Sequence, residues 1–112
     1  MIRPDPIRVF LVDDQTLVRQ GIRSLLALAE GIEVVAEAAD GRQAVELIPQ
    51  VKPDVVLMDM RMPAMSGLEA LQAMGRAGTL PPTIILTTFD DDQLVLAGIK
   101  AGAKGYLLKD VS

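Results

Sequence analysis

The 112-residue chain is half apolar with 3% aromatic residues, so one core built from Val, Ile, Leu, Met and Ala is expected, a composition that suits parallel strands between helices. It holds no cysteine and no histidine, which excludes disulfides, thiolate metal sites, zinc-hydrolase chemistry and Cys-His proteolysis. The formal charge of −4 and scattered basic residues form the wrong electrostatic footprint for gripping DNA, and nothing reads as a signal sequence or membrane span, so no membrane partner and a cytoplasmic setting are expected.

Along the chain, short β-branched runs alternate with segments of helical period, the pattern of repeated βαβ units and a doubly wound α/β sheet. The first strand is predicted over 7–12, followed by a helix that starts after Asp14 or Thr16. That helix buries Val18, Ile22, Leu25, Leu26 and Ala29 and ends at Gly31. A strand over 33–38 leads to a second helix, where Asp40 and Gln43 have the spacing of a capping box. Pro49 should kink or end that helix near Ile48.

The third strand, over 55–58, precedes a third helix opened by a Ser66–Glu69 capping box. A fourth strand over 83–86 leads to a helix starting among Asp90, Asp91 and Asp92, where negative charge suits the helix dipole. The fifth strand is predicted over 105–108, and Pro63, Pro81 and Pro82 fall in connections. Ser112 comes where a fifth helix is expected, so one sheet face is short of cover. Either the chain is a fragment or that face pairs with another molecule.

Open parallel sheets bind ligands beyond the carboxyl ends of their strands. That edge carries Asp13 and Asp14 after the first strand, Asp59 after the third, Thr87 after the fourth and Lys109 after the fifth. Converging carboxylates repel unless one is protonated or a cation joins them, and an all-oxygen ligand set favours a hard ion, with Mg2+ first. Asp59 is the candidate nucleophile for a phosphoryl group. Lys109 can neutralise the transferred charge, and Thr87 can donate a hydrogen bond to it. Taken singly, these residues also suit a polar turn, a helix cap or a strand end; their shared edge is what points to chemistry.

The runs Phe10-Leu-Val-Asp-Asp14, Val55-Val-Leu-Met-Asp-Met-Arg-Met-Pro63 with Gly67, Leu86-Thr87, and Gly102-Ala-Lys-Gly-Tyr-Leu-Leu-Lys109 resemble the receiver domain of bacterial two-component response regulators over essentially the whole chain. The resemblance implies a flavodoxin-like five-stranded sheet of order 2-1-3-4-5 and one receiver domain over 1–112, without the fifth helix or an effector domain. It implies a phosphoacceptor Asp59, direct magnesium ligands Asp14 and Asp59, Asp13 as a partner through water, and the Arg61 main-chain carbonyl as a further ligand. It also implies a phosphate-pairing Lys109 and a switch pair of Thr87 and Tyr106.

Arg61-Met-Pro63, Thr87-Thr-Phe-Asp90 and Leu-Leu-Lys-Asp110 resemble the NarL/FixJ class, which implies a sensor histidine kinase, a homodimer, and DNA binding through a separate LuxR-type helix-turn-helix. Asp110 stands where many receivers have proline, so a cis bond there would cost about 3 to 4 kcal/mol. A haloacid-dehalogenase phosphatase is the enzymatic alternative, but Arg61 occupies the position of its second aspartate. A phosphate-independent interaction domain is the third reading; a non-turnover switch is the expectation.

Overall fold

The computed structural model describes residues 5–88 and 91–109. Five strands, β1 (Ile7–Val12), β2 (Ile32–Ala38), β3 (Val55–Asp59), β4 (Thr83–Thr87) and β5 (Gly105–Leu108), form one parallel sheet of order β2-β1-β3-β4-β5. Helices α1 (Thr16–Ala27), α2 (Gly41–Val51), α3 (Gly67–Ala77) and α4 (Asp92–Lys100) cross between them. Parallel neighbours need such crossovers, and the order reverses between β1 and β3, which opens a crevice at the carboxyl ends of those strands.

The period-two pattern of the strands divides the core. Phe10, Val12, Val56, Met58 and Ile85 face α2, α3 and α4, whereas Val9, Leu11, Leu57 and Leu86 face α1. Among the described residues, three helices therefore cover one face and a single helix the other. Leu25 and Leu28 near the end of α1 are 69% and 83% exposed, and Leu107 on the same side of β5 is 53% exposed.

Three helical expectations need correction. α1 ends at Ala27, four residues before Gly31, because the Leu28 and Ala29 N–H groups turn back to Leu25 and Leu26; Leu25 and Ala29 are exposed instead of buried. α2 runs through Pro49 to Val51. The N–H that Pro49 lacks falls in the last turn, where Lys52 N–H donates to the Ile48 carbonyl and the Arg8 guanidinium donates to Val51 and Lys52, so little ladder remains to break. At the other end of α2, Asp40 accepts from Gln43 N–H, but the Gln43 side chain accepts from Ala39 N–H instead of closing the box on Asp40. The Ser66–Glu69 box is complete, and α4 starts at Asp92 after Asp91. Asp90 and the Lys109–Asp110 bond lie outside the described residues.

Candidate functional site

Each candidate side chain is delivered by a strand end. Asp13 follows β1, with its N–H on the Ala38 carbonyl of β2 at 3.1 Å, and its side chain is fully buried. Asp59 and Thr87 are the last residues of β3 and β4 and are 4% and 2% exposed. Lys109 follows β5, held by its N–H on the Thr87 carbonyl at 2.7 Å. β1, β3 and β4 reach the edge as largely buried apolar runs, so the first polar residue beyond the core stands at the crevice, whereas the apolar residues of β5 before Lys109 are exposed.

One carboxylate oxygen from each of Asp13, Asp14 and Asp59 lies within 4.8 Å of the others, and Asp14 and Asp59 border a cleft of about 250 Å3. Asp13 is wired from two sides, accepting from Gln15 N–H at 2.8 Å and from Lys109 Nζ at 3.1 Å. Lys109 Nζ also lies 3.3 Å from Asp59 Oδ2, while Arg61 N–H donates to Asp59 Oδ1 at 3.3 Å. Asp14 is exposed, and its carboxylate makes no hydrogen bond or ion pair among the described residues.

Burial, reinforced by the Asp13 charge, raises the Asp59 carboxyl from its ordinary 3.8 to about 6, although Lys109 pulls the other way. Burial works against the Lys109 ammonium, but its hydrogen bond to Asp13 and the Asp59 charge outweigh that and hold it above the usual lysine value. The site therefore has an excess of negative charge that one lysine does not neutralise. Three convergent carboxylates without nitrogen or sulfur donors suit a hard divalent cation.

The loop after β3 is held tightly against the site. A Cβ built on Gly67 would lie 2.1 Å from the Asp59 carbonyl oxygen and 2.8 Å from Met60 Cα, so only glycine permits this approach. Ala64 takes φ +65° in the same loop, an unusual conformation for a residue with a Cβ. The Arg61 side chain binds Asp91 at the start of α4 through Nη2 at 2.7 Å and Nε at 3.0 Å. Thr88 Oγ1 donates to the same Asp91 at 3.1 Å, and these bonds lower the Asp91 carboxyl, Arg61 first.

Tyr106 stands apart from the cluster. It pairs in register with Ile85, two residues before Thr87, so Thr87 and Tyr106 share the α4 side of the sheet; the residue is 54% exposed. Sequence reading missed Asp91 and Thr88, which border the cleft, and Arg19, whose guanidinium donates to the Asp13 carbonyl. Capping chemistry gave the only hint of Asp91. Nothing local ties it to Arg61, 30 positions earlier.

The response regulator receiver domain family model matches residues 9–112. The nitrate/nitrite response regulator protein NarP of Escherichia coli K12 is 50% identical over 105 residues, covering 94% of this chain and 49% of the relative; NarL of the same strain is 35% identical over 111 residues, covering 99% and 51%. The chain thus spans about half the length of these curated relatives. The signal receiver domain of a NarL response regulator from Mycobacterium tuberculosis superposes with a TM-score of 0.88 at 37% identity, covering 97% of this chain and 88% of that one. No helix among the described residues is long and apolar enough to cross a membrane. The chain belongs to the response regulator receiver domain family, in its NarL-type class.

Proposed function

We propose that the domain is a phosphorylation switch in which Asp59 accepts a phosphoryl group in a Mg2+-dependent reaction. The observation that carries this reading is the juxtaposition of a buried Asp59 carboxylate with Asp13, Asp14 and the Lys109 ammonium at one strand edge. A carboxylate oxygen of Asp59 attacks phosphorus, the bond from phosphorus to the donor breaks, and the donor leaves with a proton. Lys109 sits where it can pair with the added negative charge, and Thr87 can donate its hydroxyl to a phosphoryl oxygen. Asp14, Asp59 and the Arg61 carbonyl would hold the cation, with Asp13 acting through water. When bound, the cation supplies positive charge for the phosphoryl oxygens. The chain acts as its own substrate and is not a turnover enzyme.

The donor is a sensor histidine kinase, and the output is dimerisation or rearrangement of an attached DNA-binding half, giving a transcriptional regulator; the length of the relatives supports this. Thr87 and Tyr106 are the switch, since phosphate shifts the equilibrium only through contacts that differ between states. A groove of about 370 Å3 between α4 and β5, bordered by Tyr106, Leu96 and Ile99, offers the ring alternative packing. Intact mass after incubation with Mg2+ and a small phosphodonor tests the reading. One added phosphoryl group in wild type and none in Asp59→Asn is expected; an unchanged wild-type mass in folded protein would overturn it.

A further inference from the structure

We infer that Arg19 is a positioning residue for cation capture, fixing from α1 the peptide group that carries Asp14; the inference rests on the proposed function. Arg19 lies one turn into α1, its N–H on the Gln15 carbonyl at 3.1 Å. Its guanidinium reaches back with Nη1 to the Asp13 main-chain carbonyl, while Nε donates to Glu37 of β2 at 3.1 Å. The side chain is 17% exposed, and Glu37 is held in turn by Arg23 Nη2 at 2.6 Å. Glu37 thereby sets the plane of the guanidinium, and the guanidinium sets the direction of the carbonyl.

Asp13 and Asp14 differ in what holds them. The Asp13 carboxylate is fixed by Gln15 N–H and Lys109, whereas the Asp14 carboxylate is exposed and takes its place from the backbone alone among the described residues. The Asp13 carbonyl belongs to the peptide group that leads into Asp14. Turning that group breaks the Arg19 bond and re-aims the Asp14 side chain. Arg19 thus does for Asp14 what a direct hydrogen bond does for a more enclosed ligand: it limits the orientations available before the cation arrives.

Charge and position predict opposite signs, which makes the inference decidable. A guanidinium close to a cation site repels the cation, so on charge alone its removal should tighten binding. Positioning predicts looser binding. The probe is Mn2+, with the free ion counted by electron paramagnetic resonance for wild type, Arg19→Met, Arg19→Lys and Arg23→Met, and with melting temperatures in EDTA to establish folding. Arg23 shares Glu37 but makes no bond to Asp13, so it controls for loss of the Glu37 pair.

Arg19→Met and Arg19→Lys are expected to raise the Mn2+ dissociation constant about tenfold, the lysine failing because one ammonium cannot hold Glu37 and the carbonyl together. Arg23→Met should stay within about twofold of wild type. Arg19→Lys also covers the case in which Arg19→Met does not fold. Unchanged or tighter binding in a folded Arg19 variant, or equal weakening in Arg23→Met, overturns the inference and leaves the proposed function intact. A folded wild type that takes no Mn2+ overturns the proposed function, and the inference with it.

Discussion

Lys109 Nζ lies 3.3 Å from Asp59 Oδ2 across the end of the sheet, close enough to pull the Asp59 carboxyl down against the larger effect of burial. Replacing Lys109 with methionine removes that pull and the cation that would meet the transferred group. The rate of phosphorylation by a small phosphodonor is expected to fall by about 10²- to 10³-fold, followed by intact mass over time. A rate within threefold of wild type, allowing about that margin for altered packing, would mean that Lys109 is not needed for transfer.

The raised Asp59 carboxyl makes stability depend on pH in the metal-free protein. An acid held at about 6 when folded and near 3.8 when unfolded binds its proton more tightly in the native state. Its stabilising contribution is therefore full below about 3.8 and is lost as pH rises through about 6. The loss is about 1 to 3 kcal/mol. In EDTA, Asp59→Asn should be more stable than wild type at pH 7.5 by about that amount, with the difference shrinking as pH falls through about 6 and small at about pH 4. Urea midpoints at the two pH values check this, and a pH-independent difference would contradict it.

Gly67 and Gly98 separate backbone contact from side-chain contact. An alanine Cβ at Gly67 would strike the Asp59 carbonyl oxygen at 2.1 Å, whereas at Gly98 it would meet the ends of Ile85 and Met60 at 2.3 and 3.0 Å. Side-chain ends can move; the backbone of β3 cannot move without shifting Asp59. Gly67→Ala is expected to cost about 2 to 4 kcal/mol and to weaken Mg2+ binding. Gly98→Ala should cost about 1 to 2 kcal/mol and leave Mg2+ affinity alone. Chemical denaturation with Mg2+ titration of both variants distinguishes them.

Tyr106 is the single tyrosine in a chain without tryptophan, so its fluorescence reports one site. The residue is 54% exposed in the unphosphorylated chain. If phosphorylation draws the ring inward, iodide quenching should fall by about twofold or more in phosphorylated wild type but not in Thr87→Ala. Equal quenching before and after phosphorylation would remove Tyr106 from the switch.

The fold was legible because the strands are short apolar runs ending in polar residues, a local pattern. Asp13, Asp59, Thr87 and Lys109 could be placed on one edge for that reason, and parallel pairing does the rest. The errors fell where nonlocal groups decide. The run of α2 past Pro49 depends on Arg8, more than 40 residues away, and Leu25 keeps a helical spacing without being buried. The contacts of Arg61 with Asp91 and of Arg19 with Asp13 and Glu37 join separate elements, so periodicity carries no trace of them.

The central claim is that Asp59 itself receives the phosphoryl group. The most direct measurement is reduction of the phosphorylated protein with borohydride, which converts an aspartyl phosphate to homoserine, followed by peptide mass mapping. Homoserine at position 59, formed only when Mg2+ and phosphodonor are both present, is the predicted result. Homoserine at another aspartate, or none in a folded sample carrying Mg2+ and donor, would contradict the account.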